Sequence, residues 1–329
     1  MNQLSALVTS LTNWFKFWWT CSRAFALPVT VMAWFVAFTY SFDGNKINGL
    51  IALIGIIFAH LATNIFDDYN DYKILSKDPK FLESAQVCKC KFITDGLITH
   101  KELLTAGLIC LEIACIIGGI LLYQVGYGVA LIAGIAAIFV LFYSQCTVRG
   151  LGEVAVGIMY GPLLFEGVHF VMKGYFSTDI LFLSLAVSAF IIAFLYTHTL
   201  LDYDGDKCSH KKTIACTFSK NTSLNILILI YIVGYILFTI FAILTRQYIL
   251  LLTYVTIPLV VGLYKTMKVY NEDKTIVPQV KWWNYPLGNW DYVVKEGTQS
   301  FYLRLYLSRN INTYFSLIIC VIFLLEKIR

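Results

Sequence analysis

The sequence predicts an all-α polytopic membrane protein with nine transmembrane helices. Of its 329 residues, 58% are hydrophobic and only 14% are charged, whereas soluble domains carry about 25% charged residues. Apolar runs recur along the whole chain, each close to the roughly 20 helical residues that are needed to cross a bilayer core. Backbone groups in lipid must form hydrogen bonds within their own segment, and a helix achieves this.

The longest polar connection between the predicted spans precedes the last one. We expect Pro28, Pro162 and Pro258 to lie inside spans, where membrane helices tolerate them. A longer segment at about 266–309 is rich in aromatic residues, which predicts an interfacial insertion on the cytoplasmic side of a single-domain protein. The nine spans cover residues 24–42, 47–66, 103–122, 127–144, 151–172, 179–200, 223–244, 247–265 and 310–325.

The distribution of basic residues predicts that the N-terminus faces the cytoplasm. In that orientation 20 of the 25 Lys and Arg residues lie on the cytoplasmic side, and such an excess is typical of cytoplasmic loops. The N-terminal stretch NWFKFWWTCSR mixes aromatic and basic residues, which indicates a helix at the membrane interface. The pair Cys88-x-Cys90 has no second pair nearby, so no zinc site is expected there.

A first acidic cluster follows the second predicted span, in the sequence N-I-F-D-D-Y-N-D at residues 64–71. Asn64 and Asp68 are four residues apart, and Asp71 follows three residues later. A helix therefore places all three side chains near one face. Asp67 also has a spacing of four to Asp71, and the sequence leaves its role open.

A second acidic cluster follows the sixth predicted span, where Asp202 and Asp206 are again four residues apart and Asp204 points elsewhere. Both clusters lie at predicted helix C-termini, where the helix dipole disfavours each carboxylate by about 0.3–1 kcal/mol. Oxygen ligands without paired thiols suit Mg²⁺, which completes its shell with water and phosphate. Lysines also lie near both clusters, at Lys73, Lys77, Lys211 and Lys212. Carboxylates, Mg²⁺ and lysines together indicate a diphosphate ligand.

The two clusters resemble the Asp-rich motifs of the UbiA superfamily of intramembrane prenyltransferases. In that family the motifs follow helices two and six of a nine-helix bundle around a central cavity. The resemblance implies Mg²⁺-dependent transfer of a polyprenyl group from polyprenyl diphosphate to an aromatic acceptor. It also implies that four catalytic aspartates and one asparagine hold the metal, namely Asp68, Asp71, Asp202, Asp206 and Asn64.

Residues 143–170, YSQCTVRGLGEVAVGIMYGPLLFEGVHF, resemble a segment of the MenA-type 1,4-dihydroxy-2-naphthoate polyprenyltransferases. This resemblance implies that 1,4-dihydroxy-2-naphthoate is the acceptor and that its carboxylate leaves as CO₂. It places the protein in menaquinone biosynthesis, in a bacterial cytoplasmic membrane. The chain departs from the family at Leu201, where members often carry an arginine before the second motif.

Further polar residues are expected to bind the substrates. Arg23 in CSRAFALP matches an early R-x-x-x-L-P segment of the family, and with the lysines it would bind diphosphate. The ring of Tyr143 can stabilise a cation, and Arg149 with Glu153 would position acceptor or diphosphate. The expected substrate-binding residues are Asn64, Arg23, Lys73, Lys212, Tyr143, Arg149, Glu153 and His198.

The sequence alone leaves two alternatives open. In the first, the chemistry is the same but the acceptor is 4-hydroxybenzoate, another ring or a lipid phosphate. In the second, the protein is a membrane transporter or a lipid-binding protein. Transporter sites usually lie near the bilayer midplane between repeats, whereas these acids lie at helix ends and no repeat is visible. No nucleic-acid partner is expected.

Overall fold

The computed structural model describes residues 2–77, 91–208 and 212–328. Within these ranges the chain forms helices, turns and loops, and no strand occurs. The pair Cys88-x-Cys90 and Lys211 lie outside the described residues. The prediction of an all-α fold is confirmed.

Fifteen α-helices, named α1 to α15, follow one another along the described chain. In chain order they are Asn2–Cys21, Leu27–Tyr40, Lys46–Leu75, Lys91–Thr94, His100–Val125, Gly128–Val148, Gly152–Ile158, Leu164–Lys173, Thr178–Leu201, Tyr203–Cys208, Ile214–Thr217, Lys220–Leu244, Ile257–Glu272, Trp290–Lys295 and Gln299–Ile328. Three 3₁₀ segments cover Ala24–Ala26, Tyr248–Thr256 and Trp282–Asn284. One π-helical turn covers Met159–Leu163.

Eight stretches of the described chain are long and apolar enough to cross a membrane. A bent pair, Thr12–Cys21 and Ala24–Tyr40, raises this number to nine if the pair forms one span. The two halves of the pair meet at 73°. The bend lies next to Arg23, which has a left-handed backbone with φ of 53°. The number of predicted spans therefore agrees with the structure.

The prolines that were predicted inside spans lie at helix boundaries or in a kink. Pro28 and Pro258 occupy the first turns of α2 and α13, where a missing N–H costs no hydrogen bond. Pro162 lies in the π-helical turn, in which Gly161 leaves helical geometry. The fifth predicted span is therefore two helices, α7 and α8, joined at a kink.

The ninth span begins earlier than predicted, because α15 starts at Gln299 rather than at residue 310. Helix α13, in the preceding span, continues to Glu272, so the connection between α13 and α15 is shorter than the predicted segment 266–309. Hydropathy missed the start of α15 because this part of the helix contains Arg304 and Arg309. Both side chains are only 1% exposed and are buried within the protein.

The two buried arginines of α15 hold the connecting segment against the bundle. Arg304 donates a 3.2 Å hydrogen bond to the carbonyl oxygen of Ile276, and Arg309 donates one to the carbonyl oxygen of Pro286. Buried guanidinium groups require such partners, because an unpaired buried charge is strongly unfavourable. The connection is therefore fixed to the last helix by hydrogen bonds to its backbone.

Two sets of helix contacts position the acidic clusters. Helix α3 packs along α5 and α6, while α9 packs against α12 and α15 at the centre of the largest core cluster. Side chains of α9 such as Leu183, Ala186 and Phe190 are completely buried. The first cluster lies on α3, and the second follows α9, so each cluster is attached to a helix that is firmly packed.

Candidate functional site

The first acidic cluster lies inside a helix rather than beyond its end. Helix α3 continues to Leu75, so the whole N-I-F-D-D-Y-N-D stretch is helical. Asp67, Asp68 and Asp71 are 5%, 6% and 1% exposed. Carboxylates are rarely buried to this degree unless they are paired or bind a cation. The cluster is therefore a buried anionic site and not a solvated loop.

Arg23 is bound to this cluster from the break between α1 and α2. Its Nη2 atom lies 2.9 Å from Asp67 Oδ2 and 3.1 Å from Asp68 Oδ1. The same nitrogen donates a 2.9 Å hydrogen bond to the backbone oxygen of Asn64. In return, the Asn64 side chain donates to the backbone oxygen of Ser22 at 3.0 Å. Arg23, expected to bind diphosphate, thus lies beside the expected metal ligands.

Helix α6 covers the next part of the cluster. Asn70 donates a 3.2 Å hydrogen bond to Ser144 Oγ, which joins α3 to α6. The neighbouring residue Tyr143 is half-buried and lies within electrostatic range of Asp67 and of Glu153. The structure therefore places Tyr143 near the first cluster.

The second acidic cluster surrounds the end of α9. Asp202 caps this helix, and its N–H bonds to the carbonyl oxygen of His198 at 3.0 Å. Asp206 follows one turn later on the short helix α10, and its N–H bonds to the carbonyl oxygen of Asp202 at 2.8 Å. Asp206 is only 3% exposed. The ring of His198 packs edge-on against Phe301, with ring centroids 5.7 Å apart.

Asp204 points away from this cluster, as the spacing predicts. It is exposed, and Lys220 and Lys274 lie 2.8 Å and 2.7 Å from its Oδ2 atom. Burial alone would raise the pKa of Asp204, but the hydrogen bonds from the two lysines outweigh it and lower that pKa. Asp204 and Asp206 are thus close in sequence but differ in environment.

Glu153 and Tyr143 lie between the two clusters. Glu153, in the first turn of α7, is 4% exposed and lies within electrostatic range of Asp206. Tyr143 is within range of Glu153 on one side and Asp67 on the other. Arg149 is exposed in the turn after α6, so its spacing of four to Glu153 does not place the two on one helical face.

The turn after α6 packs against the segment that follows the second cluster. Gly150 has φ of 78°, and a Cβ atom there would lie 2.4 Å from the backbone oxygen of Lys212. Such an approach is open only to glycine. The side chains of Lys212 and Lys73 are exposed, and Lys73 lies in the last turn of α3. Backbone contact with Gly150 thus holds Lys212 near the R-G-L-G-E stretch.

An apolar cavity of about 530 Å³ lies next to the first cluster. Along α3 its wall extends from Ala52 to His60 and Thr63, next to Asn64. The rise of 1.5 Å per residue gives this wall a length of about 16 Å. The cavity reaches the outer surface of the bundle between α5 and α6, where small exposed residues line it: Cys115, Gly119, Ala133 and Gly134.

The donor atoms of the acidic clusters can be compared with the needs of a metal ion. Within residues 2–77, 91–208 and 212–328, no three His, Cys, Asp or Glu side chains are grouped closely enough to hold an ion. The available donors are carboxylate and amide oxygens, which Mg²⁺ prefers. Because Mg²⁺ uses one or two carboxylates and fills its shell with water and phosphate, the clusters fit Mg²⁺ bound together with a diphosphate.

Sequence reasoning did not find one polar group in the cavity wall. His60 lies within the second predicted span and contacts Thr30 and Tyr160 from two other helical segments. Its spacing of four residues before Asn64 was the available signal. The partners could not be identified from sequence, since they are 30 and 100 residues away.

Comparison with known proteins identifies relatives of this chain. A family model described as the UbiA prenyltransferase family matches residues 9–285. UbiA prenyltransferase domain-containing protein 1 of Danio rerio is 24% identical over 245 residues. That match covers 73% of this chain and 69% of the Danio rerio protein.

Two solved structures have a similar fold. One is a UbiA homolog from Archaeoglobus fulgidus bound to DMAPP and Mg²⁺, with a TM-score of 0.54 and 12% identity over 89% of this chain and 98% of that chain. The other comes from work on digeranylgeranylglyceryl phosphate synthase in membranes, with a TM-score of 0.54 and 14% identity over 94% and 98% of the two chains. At such identities the similarity shows the fold alone.

Proposed function

The chain belongs to the UbiA prenyltransferase family, and from this premise we propose that it prenylates 1,4-dihydroxy-2-naphthoate with polyprenyl diphosphate. It is an integral membrane prenyltransferase; the acceptor, the chain's own site residues and its orientation are our proposal. The observation that carries the proposal is the position of the apolar cavity. Its wall on α3 ends at Thr63, and the acidic cluster begins at the next residue, Asn64.

This arrangement suits a ligand with an anionic head and a hydrocarbon tail. The diphosphate would lie at the acidic clusters, and the polyprenyl chain would extend along the cavity wall of α3. Apolar lining favours the tail because burial removes hydrocarbon surface from water. The opening between α5 and α6 is bordered by Gly119 and Gly134, whose lack of side chains leaves room for a lipid chain to enter from the bilayer.

Mg²⁺ is the cofactor that we propose for the acidic clusters. Bound there, it would neutralise charge on the leaving diphosphate. A related structure of the same fold contains DMAPP and Mg²⁺, which supports this choice. The oxygen donors that we assign to the metal are those of Asn64, Asp68, Asp71, Asp202 and Asp206.

The reaction begins when the bond between the allylic carbon and the diphosphate oxygen breaks. The electron pair leaves with the diphosphate, and an allylic cation forms. We assign the binding of the diphosphate to Arg23, Lys73 and Lys212. Tyr143, between the clusters, would stabilise the cation with the face of its ring. Apolar walls exclude water, which would otherwise capture the cation.

An electron-rich ring carbon of the acceptor then attacks the cation. In 1,4-dihydroxy-2-naphthoate this carbon bears the carboxylate, which leaves as CO₂ and returns its electron pair to the ring. The product is a demethylmenaquinone in its reduced form. Glu153, Arg149 and His198 are the residues that we assign to positioning the substrates. The similarity of residues 143–170 to MenA-type enzymes supports this acceptor.

We place the N-terminus and the site at the cytoplasmic face of a bacterial membrane. The excess of basic residues on that side supports this orientation. It gives the two acidic clusters access to a cytoplasmic diphosphate and acceptor. The single-domain organisation is part of the same proposal.

The experiment is an acceptor panel with purified protein in lipid nanodiscs. Geranyl diphosphate and Mg²⁺ are supplied with 1,4-dihydroxy-2-naphthoate, 4-hydroxybenzoate or a glycerol phosphate lipid. We expect prenylated product and CO₂ release with the naphthoate, and loss of turnover in Asp68→Ala and Asp202→Ala. Turnover of another acceptor but not of the naphthoate would reject the proposed acceptor. Unchanged activity of both variants would reject the proposed metal site.

A further inference from the structure

His60 is a polar residue in the wall of the apolar cavity. It lies on α3 one turn before Asn64, is 9% exposed and lines the 530 Å³ cavity. Its Nδ1 atom lies 2.7 Å from Thr30 Oγ1 and 2.5 Å from Tyr160 Oη. Its other ring nitrogen, Nε2, is buried and has no hydrogen-bond partner among the described residues. One nitrogen is therefore held by the protein, and the other remains available to a ligand.

The two hydroxyl groups determine which nitrogen carries the hydrogen. Both hydroxyl groups lie within hydrogen-bond distance of the same Nδ1 atom. Each hydroxyl has a hydrogen to donate, and Nδ1 is the acceptor when either of them donates to it. In a neutral imidazole one nitrogen accepts and the other donates. Nε2 of His60, a residue of the cavity wall, is then a buried donor.

The chemistry of the cavity restricts what this donor can bind. A buried N–H without an acceptor is unfavourable, because it loses its hydrogen bond to water. A polyprenyl tail contains no acceptor atom, so the tail alone cannot satisfy Nε2. The second substrate of the proposed reaction is an aromatic ring that carries oxygen atoms. Oxygen is the acceptor that an imidazole N–H requires.

The position of His60 also matches that substrate. Along α3, His60 lies about 6 Å from Asn64 and about 12 Å from Asp68. A ring that lies between His60 and the acidic clusters has one edge at the donor and the opposite edge near the diphosphate. This orientation presents a ring carbon to the allylic carbon. A lone donor at this depth can therefore set which ring carbon is attacked.

We propose that His60 Nε2 donates a hydrogen bond to an oxygen atom of the acceptor ring, and so selects and orients that ring beside the allylic diphosphate. This role rests on the proposed function. Thr30 and Tyr160 are positioning residues, because they act through the imidazole. His60 is a specificity-determining residue that contacts the acceptor ring and does not contact the diphosphate.

The first test compares Michaelis constants of the two substrates in nanodiscs. Replacing His60 with Phe keeps an aromatic ring but removes the donor. We expect the acceptor KM of His60→Phe to rise about ten-fold while that of geranyl diphosphate changes by less than about two-fold. His60→Gln, which retains an N–H donor, should recover part of the loss. A rise confined to the KM of geranyl diphosphate would overturn the proposal.

His169→Phe is the matched control. His169 is also a buried histidine, 3% exposed, whose Nδ1 is bonded to a hydroxyl, that of Ser41. Its Nε2 likewise lacks a described partner, but it lines a different cavity, with Asp43 and Lys173. We expect this variant to lose stability without a change in acceptor KM. An equal rise in acceptor KM for both variants would mean that the effect is structural.

The second test removes an oxygen atom from the aromatic substrate instead of removing the N–H donor from the protein. Wild-type protein is given 1,4-dihydroxynaphthalene and 1-naphthol, which differ by one hydroxyl. We expect wild type to prefer the diol in kcat/KM and this preference to fall about ten-fold in His60→Phe, which leaves only the difference in ring reactivity between the two acceptors. Tyr160→Phe keeps the packing of the ring and should also weaken the preference. This variant replaces His60→Phe in the test if His60→Phe does not fold. An unchanged preference in the folded His60 and Tyr160 variants would refute the hydrogen bond.

Failure of the proposed function gives a different result. If wild type prenylates only 4-hydroxybenzoate, the naphthoate assignment fails, and the Michaelis-constant test of His60→Phe and His60→Gln is repeated with 4-hydroxybenzoate. If wild type prenylates only a lipid phosphate, no ring oxygen exists and the role of His60 is rejected as well. The two proposals are therefore tested separately.

Discussion

Arg23 Nη2 lies 2.9 Å from Asp67 Oδ2, although 44 residues separate them in the chain. The contact joins the bend between α1 and α2 to the acidic face of α3. It explains why Asp67, whose role the sequence left open, is buried beside the proposed metal ligands. Arg23 has a left-handed backbone with φ of 53°. This conformation is strained for a non-glycine residue, and it accompanies the placement of the side chain at the cluster. Asp67 thus serves as an anchor for the arginine, and Asp68 contacts the same guanidinium at 3.1 Å.

Replacing Arg23 with Gln should destabilise the protein. Removing one partner of a buried ion pair leaves an uncompensated charge and lowers the free energy of unfolding by about 3–5 kcal/mol. This range is an upper value here, because the Arg23 side chain is 15% exposed. We expect a lower thermal unfolding midpoint in detergent and partial recovery with added Mg²⁺. Arg246→Gln removes the same charge from an exposed residue and is the control. Equal midpoints for the two variants would contradict the importance of the pair.

Asp206→Asn and Asp204→Asn should differ sharply in activity. Asp206 is buried and assigned to the metal, and loss of such an electrostatic contact lowers kcat by about 10²–10³-fold. Asp204 forms exposed ion pairs, which contribute about 0–1 kcal/mol to stability, so its variant should retain wild-type activity. Initial rates with saturating substrates provide the measurement. A similar loss of activity in both variants would indicate that activity depends on the total charge of α10 and not on Asp206 as a metal ligand.

The sequence predicted those features that depend on local pattern. Spans are visible because each buries about 20 apolar residues in lipid. Helical spacing alone predicts that Asp204 and Asp206 point in different directions. The structure agrees, because Asp204 is exposed and Asp206 is buried. The carboxylates of the two clusters also indicate which cation to expect, because their residue types restrict the ions that can bind.

The remaining features depend on contacts between distant residues. Hydropathy counts an arginine as polar whatever surrounds it, so the buried Arg304 and Arg309 made the last helix look short. The spacing between Arg149 and Glu153 suggests one helical face, but a turn with a left-handed Gly150 lies between them. Likewise the partners of His60 lie on other helical segments. Only the fold reveals these contacts.

Replacing Gly150 with Ala should lower both stability and activity. A left-handed backbone costs a non-glycine residue about 1–2 kcal/mol, and the new Cβ would lie 2.4 Å from the Lys212 carbonyl oxygen. Gly174→Ala is the control, because its φ is 84° and no atom lies within 4 Å. We expect both variants to unfold at lower temperature and only Gly150→Ala to lose prenyl transfer. Full activity in Gly150→Ala would show that the contact with Lys212 does not matter for the site.

Replacing Arg304 with Met should release the segment between α13 and α15. Arg304 is 1% exposed and donates to the carbonyl oxygens of Ile276, Thr266 and Ser300. Loss of a hydrogen bond from a charged group costs about 1.5–3 kcal/mol, so the segment should detach before the bundle unfolds. Limited digestion with proteinase K, followed by mass spectrometry, should then reveal early cleavage within 273–298. Lys295→Met removes an exposed charge of the same sign and should leave the cleavage pattern unchanged. Cleavage at the same rate in Arg304→Met and wild type would mean that other contacts, such as those of Arg309, hold the segment.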